Sequence, residues 1–403
     1  MFRLLLKMAW KNAFARPART LLVVLMIAVS MSMMLGLQGL YDGMAQNMSD
    51  KNKRSDSGDV SMFAHEHRIT RDIKYRVQNA AAIQKELEKT QGVKSVVLRI
   101  NAEGLASTAR KSSFAQIRGI NLKEEEAFGR FSEFLHEGAI NLEGRSAIIG
   151  IELAKTLKVG VGSKVIFSTQ ESSGEINSMA LNITAIVQTT NIALDNTAIF
   201  VAREKVSSFL GLEVEEATQI ALMSAHAELP EILKAKYLML DVKSFFEMQP
   251  MMQMMEDMMF IFNSITFFIV MSVVFVGIFG VMYVSVLDRI REFGIMQGIG
   301  MEFGYIRLQI YLEALLVGVA GYIFGSLLGF LLLIYLRDYG LDFSTFADAL
   351  QSWGYETIIY GTIKISYFTT TFLAIMSASI LSVLLPLRKI KKLNPIDVIK
   401  ADK

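Results

Sequence analysis

Four stretches of this chain lack the polar interruptions that water-exposed structure requires. They are Thr20 to Leu40, Met258 to Leu287 without one charge, Ile310 to Leu336 with only Glu313, and Ser366 to Leu387. A helix needs about 20 apolar residues to cross a bilayer, so each stretch predicts a span. Between the first two, residues 45–256 alternate helical and strand periods as a water-soluble domain does. Helical patterns cover Asn79 to Thr90, Leu122 to His136 and Leu229 to Met248. Strand patterns cover Asp59 to Phe63, Ser95 to Ile100, Phe114 to Ile120, Lys164 to Ser168, Ala180 to Gln188, Thr197 to Ala202 and Thr218 to Met223. The expectation is an α-helical membrane protein with four transmembrane helices and a large α+β extracytoplasmic domain between helices one and two. That domain is large enough for one unit or two subdomains.

The basic residues orient this pattern. Arg3, Lys7, Lys11, Arg16 and Arg19 alternate with apolar residues before the first span, predicting an amphipathic helix on the cytoplasmic surface with Trp10 at headgroup level and ended by Pro17. Arg289, Arg291 and Arg307 mark the connector after span two, and Arg388, Lys389, Lys391 and Lys392 mark the last return, as short cytoplasmic loops do. The order is 1–19 amphipathic helix, 20–44 first span, 45–256 outside domain, 257–287 second span and 288–306 cytoplasmic connector. It continues with 307–336 third span, 337–365 outside loop, 366–387 fourth span and 388–403 cytoplasmic tail. The outside loop carries Asp338, Asp342, Asp348 and Glu356, and Asn394-Pro395 caps a short helix in the tail. A cleaved leader is the competing reading of the N-terminus. The long basic region and the lack of a small-residue cleavage site before Tyr41 oppose it.

Composition adds exclusions. The chain has 403 residues, 52% hydrophobic and 20% charged, and its net charge of +2 argues for no nucleic-acid partner. With no cysteine, disulfides and thiol chemistry are excluded. No phosphate-binding Gly-x-x-x-x-Gly-Lys loop is present, and Gly160-Val-Gly-Ser-Lys164 reads as a turn before a strand. His65-x-His67 supplies two ligands where zinc needs three or four, so no metal site is expected. Glu313, near the cytoplasmic edge of its span, is read as snorkelling to the interface, with a proton site as the other reading. Nothing here is an enzyme, and the energy for any transport must come from another chain.

Three side-chain patterns stand out. In the connector, Ile295, Met296 and Ile299 form a stripe with Arg291 and Glu292 toward its start, suited either to lipid or to a docking partner. Gly318, Gly321, Gly325 and Gly329 put small residues along span three, a helix-packing pattern. Twelve of the 24 methionines gather toward the outer ends of spans one and two. Of these Met31, Met33, Met34, Met44, Met48, Met251, Met254, Met255 and Met258 are candidates to line a cleft for acyl chains, since methionine accepts varied apolar partners. Ordinary packing and a copper(I) thioether site are the other readings.

Arg291-Glu-Phe-Gly-Ile-Met-Gln-Gly-Ile-Gly-Met301, followed by Glu313-Ala-Leu-Leu-Val-Gly-Val-Ala-Gly321, resembles the Arg-Glu-x-Gly-Ile and Glu-Ala-x-x-x-Gly signature of FtsX-like ABC transporter permeases. The ending from Pro386 through Pro395 and the start Ala9-Trp-Lys-Asn are similar to the same family. Arg118-Gly-Ile and the run from Ile149 to Val165 resemble its lipoprotein-releasing (Lol-type) branch. Gln297-Gly298 departs from the family, which often has alanine before the glycine; the extra glycine loosens the connector. The resemblance implies a bacterial inner-membrane permease, Gram-negative in type, working as a dimer with a second copy or paralogue. It implies a cytoplasmic ABC ATPase dimer that carries the ATP and Mg, with no cofactor on this chain, and a connector acting as coupling helix. The substrate so implied is a lipoprotein drawn from the outer leaflet by mechanotransmission, with membrane lipids and a periplasmic chaperone or adaptor as further partners. The alternatives are a non-transporting regulator of a periplasmic partner such as a wall hydrolase, and an efflux permease for a peptide or drug.

Overall fold

The computed structural model describes residues 2–189, 191–226, 228–346 and 357–391. Asp348, Glu356 and the Asn394-Pro395 cap lie outside the described residues. Contacts divide the chain into a helical unit and a second unit formed chiefly by Gln46–Met255.

The helical unit begins with α1 (Phe2–Ala13) and α2 (Pro17–Asn52), of which it holds the part to Ala45. It continues with α3 (Pro250–Asp288), of which it holds the part from Glu256, α4 (Ile290–Gly298) and α5 (Phe303–Asp338). It closes with α6 (Ile365–Ser382) and α7 (Leu384–Lys391). Helices α2, α3, α5 and the α6–α7 run are long and apolar enough to cross a membrane. Pro17 does not end the first helix as expected; it opens α2, where a missing N–H costs nothing and the fixed φ favours helix. The fourth span breaks near Val383 between α6 and α7.

Close approach organises this unit. A Cβ on Gly321 would lie 2.7 Å from Ile27, and one on Gly325 would lie 2.9 Å from Met31. Gly329 meets Leu35, so three glycines seat α5 on α2, while Gly318 meets Ser379 on α6. Without a hydrophobic drive between helices in lipid, such contact is a main source of association. At the other end of α2, Asp42 accepts from the Tyr367 hydroxyl at 2.6 Å and from Lys364 at 2.5 Å.

The second unit is built on one long strand. β1 (Val60–Ala64) is followed by β2 (Val93–Ser107), β3 (Ser112–Ile120), β4 (Leu135–Gly138) and β5 (Ser146–Gly150). Then come β6 (Lys164–Gln170), β7 (Ile176–Val187), β8 (Ala198–Ala202), β9 (Gln219–Ser224) and β10 (Leu240–Ser244). The first half of β2 pairs with β9, giving a four-stranded sheet β10-β1-β9-β2. Its second half pairs with β3 on one side and β6 on the other. The pairings β2-β3-β8-β5-β7-β6 return to β2 and close a six-stranded ring, with β4 added on β7. Gly104 permits the closure, since a Cβ there would strike the Ser168 carbonyl and crowd the Phe167 ring. Each lobe has its own core: Met62, Val96, Leu98, Ile220 and Leu222 in the sheet, and Ile117, Val165, Phe167, Leu181 and Ile199 in the ring.

Where β2 passes from sheet to ring, charges are buried in pairs. Arg99 forks onto Glu125 at 2.5 and 2.7 Å and also donates to the Asp56 carbonyl. Arg118 donates to the Asp56 carboxylate at 2.5 Å. Burial works to raise the Asp56 pKa, but Arg118 and Arg99 outweigh it and hold the carboxyl below its usual range.

Two expected helices are broken. The run Leu122 to His136 is a helix over Leu122–Gly129, a short 3-10 turn over Phe131–Phe134, and then β4. Arg130 adopts the left-handed conformation that stops the first part. The run Leu229 to Met248 contains β10, because Leu240–Ser244 adds to the free edge of β1.

Candidate functional site

The connector is shorter than its charge pattern suggests. α3 ends at Asp288, Arg289 leaves helical geometry, and α4 runs only from Ile290 to Gly298. Ile299 follows as the capping residue, and Gly300, at φ +92°, reverses the chain toward α5. α4 is held from within by Phe293, which is fully buried in the core of the helical unit. The Arg289 guanidinium lies 5.0 Å from the Phe293 ring.

That inward anchor orients the rest of α4. Ile295 and Ile299, 48% and 81% exposed, face outward one turn apart, with Arg291 and Glu292 exposed at the start. Met296 does not share their surface: it is half-buried and packs against the core. The expected three-residue stripe is therefore a two-residue outward face, because Phe293 fixes which side turns in.

The base of the connector is tied to three elements. Glu313 on α5 accepts from Arg289 at 2.9 and 3.0 Å, from Asn12 on α1 at 2.9 Å and from Gln309 at 3.2 Å. Its side chain is only 3% exposed, so it does not snorkel; the partnered carboxylate turns inward. An isolated carboxylate in lipid needs a cation, and Arg289, at the start of the connector, provides it. Next to this pair, Asp288 accepts from Arg16 and from Arg19 at 3.4 Å, and Arg19 also donates to the Val281 carbonyl at 3.1 Å. The end of α3 is thereby bound to the corner between α1 and α2. The sequence singled out neither Asn12, Arg16 and Arg19 nor Asp288 and Arg289 as site residues. The one available signal was the unpaired look of Glu313.

The nine candidate methionines differ in exposure. Met31, Met34 and Met48 are buried, Met31 beneath Gly325. Met44 and Met255 are half-buried, whereas Met33, Met251, Met254 and Met258 are well exposed. His65 bonds the Leu238 carbonyl and the buried His67 bonds the Asp72 carbonyl. Among the described residues, no group of three His, Asp or Glu is placed to hold a metal ion.

Residues 264–395 match the FtsX-like permease C-terminal family, and residues 20–236 match the MacB-like periplasmic core domain. The chain is 23% identical over 280 residues to the lipoprotein-releasing system transmembrane protein LolC of Buchnera aphidicola subsp. Schizaphis graminum, covering 66% of this chain and 68% of that one. It is 20% identical over 348 residues to the lipoprotein-releasing system transmembrane protein LolE of Haemophilus influenzae, covering 79% and 80%. The periplasmic region of MacB from Actinobacillus actinomycetemcomitans aligns over 48% of this chain and 92% of its own, at 15% identity and a TM-score of 0.33. With the MacB-like core matched over more than half of the chain and the FtsX-like region containing the connector, the chain belongs to the FtsX-like permeases of ABC transporters.

Proposed function

We propose that this permease subunit is driven by a separate cytoplasmic ATPase dimer and extracts lipoproteins, or a similar amphiphile, from the outer leaflet of a bacterial inner membrane. The observation that carries the reading is the two-faced connector: Ile295 and Ile299 point outward while Asp288 and Arg289 grip α1, α2 and α5. A partner closing on ATP and Mg would push the outward face. The ion pairs would pass that displacement to the foot of α2 and to α5. This is mechanotransmission and needs no channel through the bilayer.

The sidedness rests on charge. Arg16, Arg19, Arg289, Arg291, Arg307, Arg388 and Lys389 collect at one end of the spans, which favours both termini and the connector in the cytoplasm and the MacB-like core in the periplasm. The lipoprotein assignment draws on the names of the two relatives and on exposed methionines such as Met33 and Met254, which offer adaptable apolar surface. A second permease copy or paralogue completes the dimer, and a periplasmic chaperone or adaptor takes the cargo.

Photo-crosslinking from Met33 and Met254 in native membranes, with adducts identified by mass spectrometry, tests the substrate. Acylated lipoproteins lost from the adducts on adding ATP are the expected result. Capture of phospholipid alone, or of a soluble wall enzyme, would refute lipoprotein extraction at these positions.

A further inference from the structure

Helix α1 carries three distinct faces. Leu5, Ala9 and Ala13 are buried as α1 lies along α5. Leu6, Trp10 and Phe14 repeat every four residues and stay exposed. Arg3, Lys7 and Lys11 repeat at the same interval on the neighbouring stripe, also exposed.

The middle stripe opens into a groove. Trp10 and Phe14 form one wall, Leu21 and Val24 of α2 the second, and Ala320 and Phe324 of α5 the third, enclosing about 520 Å³. Thr20 is the one hydroxyl in the lining, and it already donates to the Ala13 carbonyl. Apart from the Trp10 indole N–H, the groove thus offers an occupant hydrocarbon contact. The stripe beside it is cationic: Arg3, Lys7 and Lys11 are exposed, the chain has no carboxylate before Asp42, and Asp288 engages Arg16 and Arg19 rather than these three.

We propose that this groove holds an acyl chain of an anionic phospholipid from the leaflet on which α1 lies, with the headgroup over Lys7 and Lys11. The apolar lining selects a lipid tail, and the basic stripe beside it selects a negative headgroup over a zwitterionic one. Trp10 sits where an indole favours the boundary between the two. The site is independent of substrate extraction.

Trp10 can report on it directly. The full chain with Trp353→Phe retains one tryptophan and is reconstituted in phosphatidylcholine vesicles containing either phosphatidylglycerol or phosphatidylcholine with brominated chains. Brominated phosphatidylglycerol should quench Trp10 at a mole fraction lower by on the order of tenfold. Adding Lys7→Gln with Lys11→Gln, both on the exposed surface, should remove that preference, and Ala320→Phe should reduce quenching by both lipids. Equal quenching by the two lipids would mean general bilayer contact and overturn the proposal. No quenching by either would mean that protein covers the groove, and the proposal would fall as well. Quenching undiminished by Ala320→Phe would place the lipid outside the groove, and a preference that survives the lysine substitutions would overturn the headgroup assignment.

Discussion

Two of the arginine–glutamate pairs among the described residues sit on elements of different kinds. Arg99 and Glu125 lie within the folded domain, 1% and 4% exposed, with Arg99 on a central strand and Glu125 on the helix that packs over it. Arg289 and Glu313 are similarly close, but Arg289 occupies the single non-helical residue between α3 and α4 and is 15% exposed. The first pair joins elements that are each paired or packed along their length. The second joins a short helix with one buried aromatic anchor to a long span. Burial alone therefore does not separate the two pairs; the packing of the element that carries the charge does.

Removing one partner separates the two roles. Arg99→Ala leaves Glu125 buried without its cation and should cost the domain about 3–5 kcal/mol, read as early thermal unfolding and rapid proteolysis within 46–255 of the full chain. Unchanged unfolding would make that pair dispensable. Ile295→Asp with Ile299→Asp touches no buried contact, so unfolding should stay as in the parent while capture of the ATPase weakens about thirtyfold or more. Glu313→Gln keeps the outward face yet weakens the link behind it. Binding of the ATPase should persist while ATP-dependent release falls about tenfold, and equal loss of both would remove the distinction between docking and transmission.

A smaller effect comes from the helix interface. Gly325→Leu must displace Met31 and the Ala28 backbone and should lower stability by about 1–3 kcal/mol in a detergent melt. The smallest is acid sensitivity at His67. Burial, helped by the Arg71 charge, pushes its pKa below the ordinary value of about 6.5. The neutral form therefore contributes stability that is present above that ordinary value and lost as pH falls through the lowered one. His67→Gln should flatten this part of the melting curve against pH, and an unaltered profile would assign the acid loss elsewhere.

The spans were legible because uninterrupted apolar runs have few other meanings, and seven strands because their residues alternate or branch. β4, β5 and β10 were not, for different reasons. β4 is four exposed residues with no apolar alternation, β5 is a short apolar run, and β10 becomes a strand through the edge of β1. Ring closure depends on Leu105 meeting Ser168 from a distant part of the chain, which no local pattern records. In the site, the outward Ile295 and Ile299 were visible as apolar residues, but only Phe293 decides that Met296 turns inward. The grip on Asp288 and Glu313 likewise joins them to residues near the start of the chain, far away in sequence.

The shared strand β2 has a mechanical consequence. It is hydrogen-bonded to β9 along its first half and to β3 along its second, with β6 closing on its far end. A pull along its axis loads these bonds side by side in shear, so they must yield together, whereas a peeled edge strand gives way one bond at a time. The ring offers no such edge at β2, and tension applied to that strand spreads around the closed circuit before any single pairing opens.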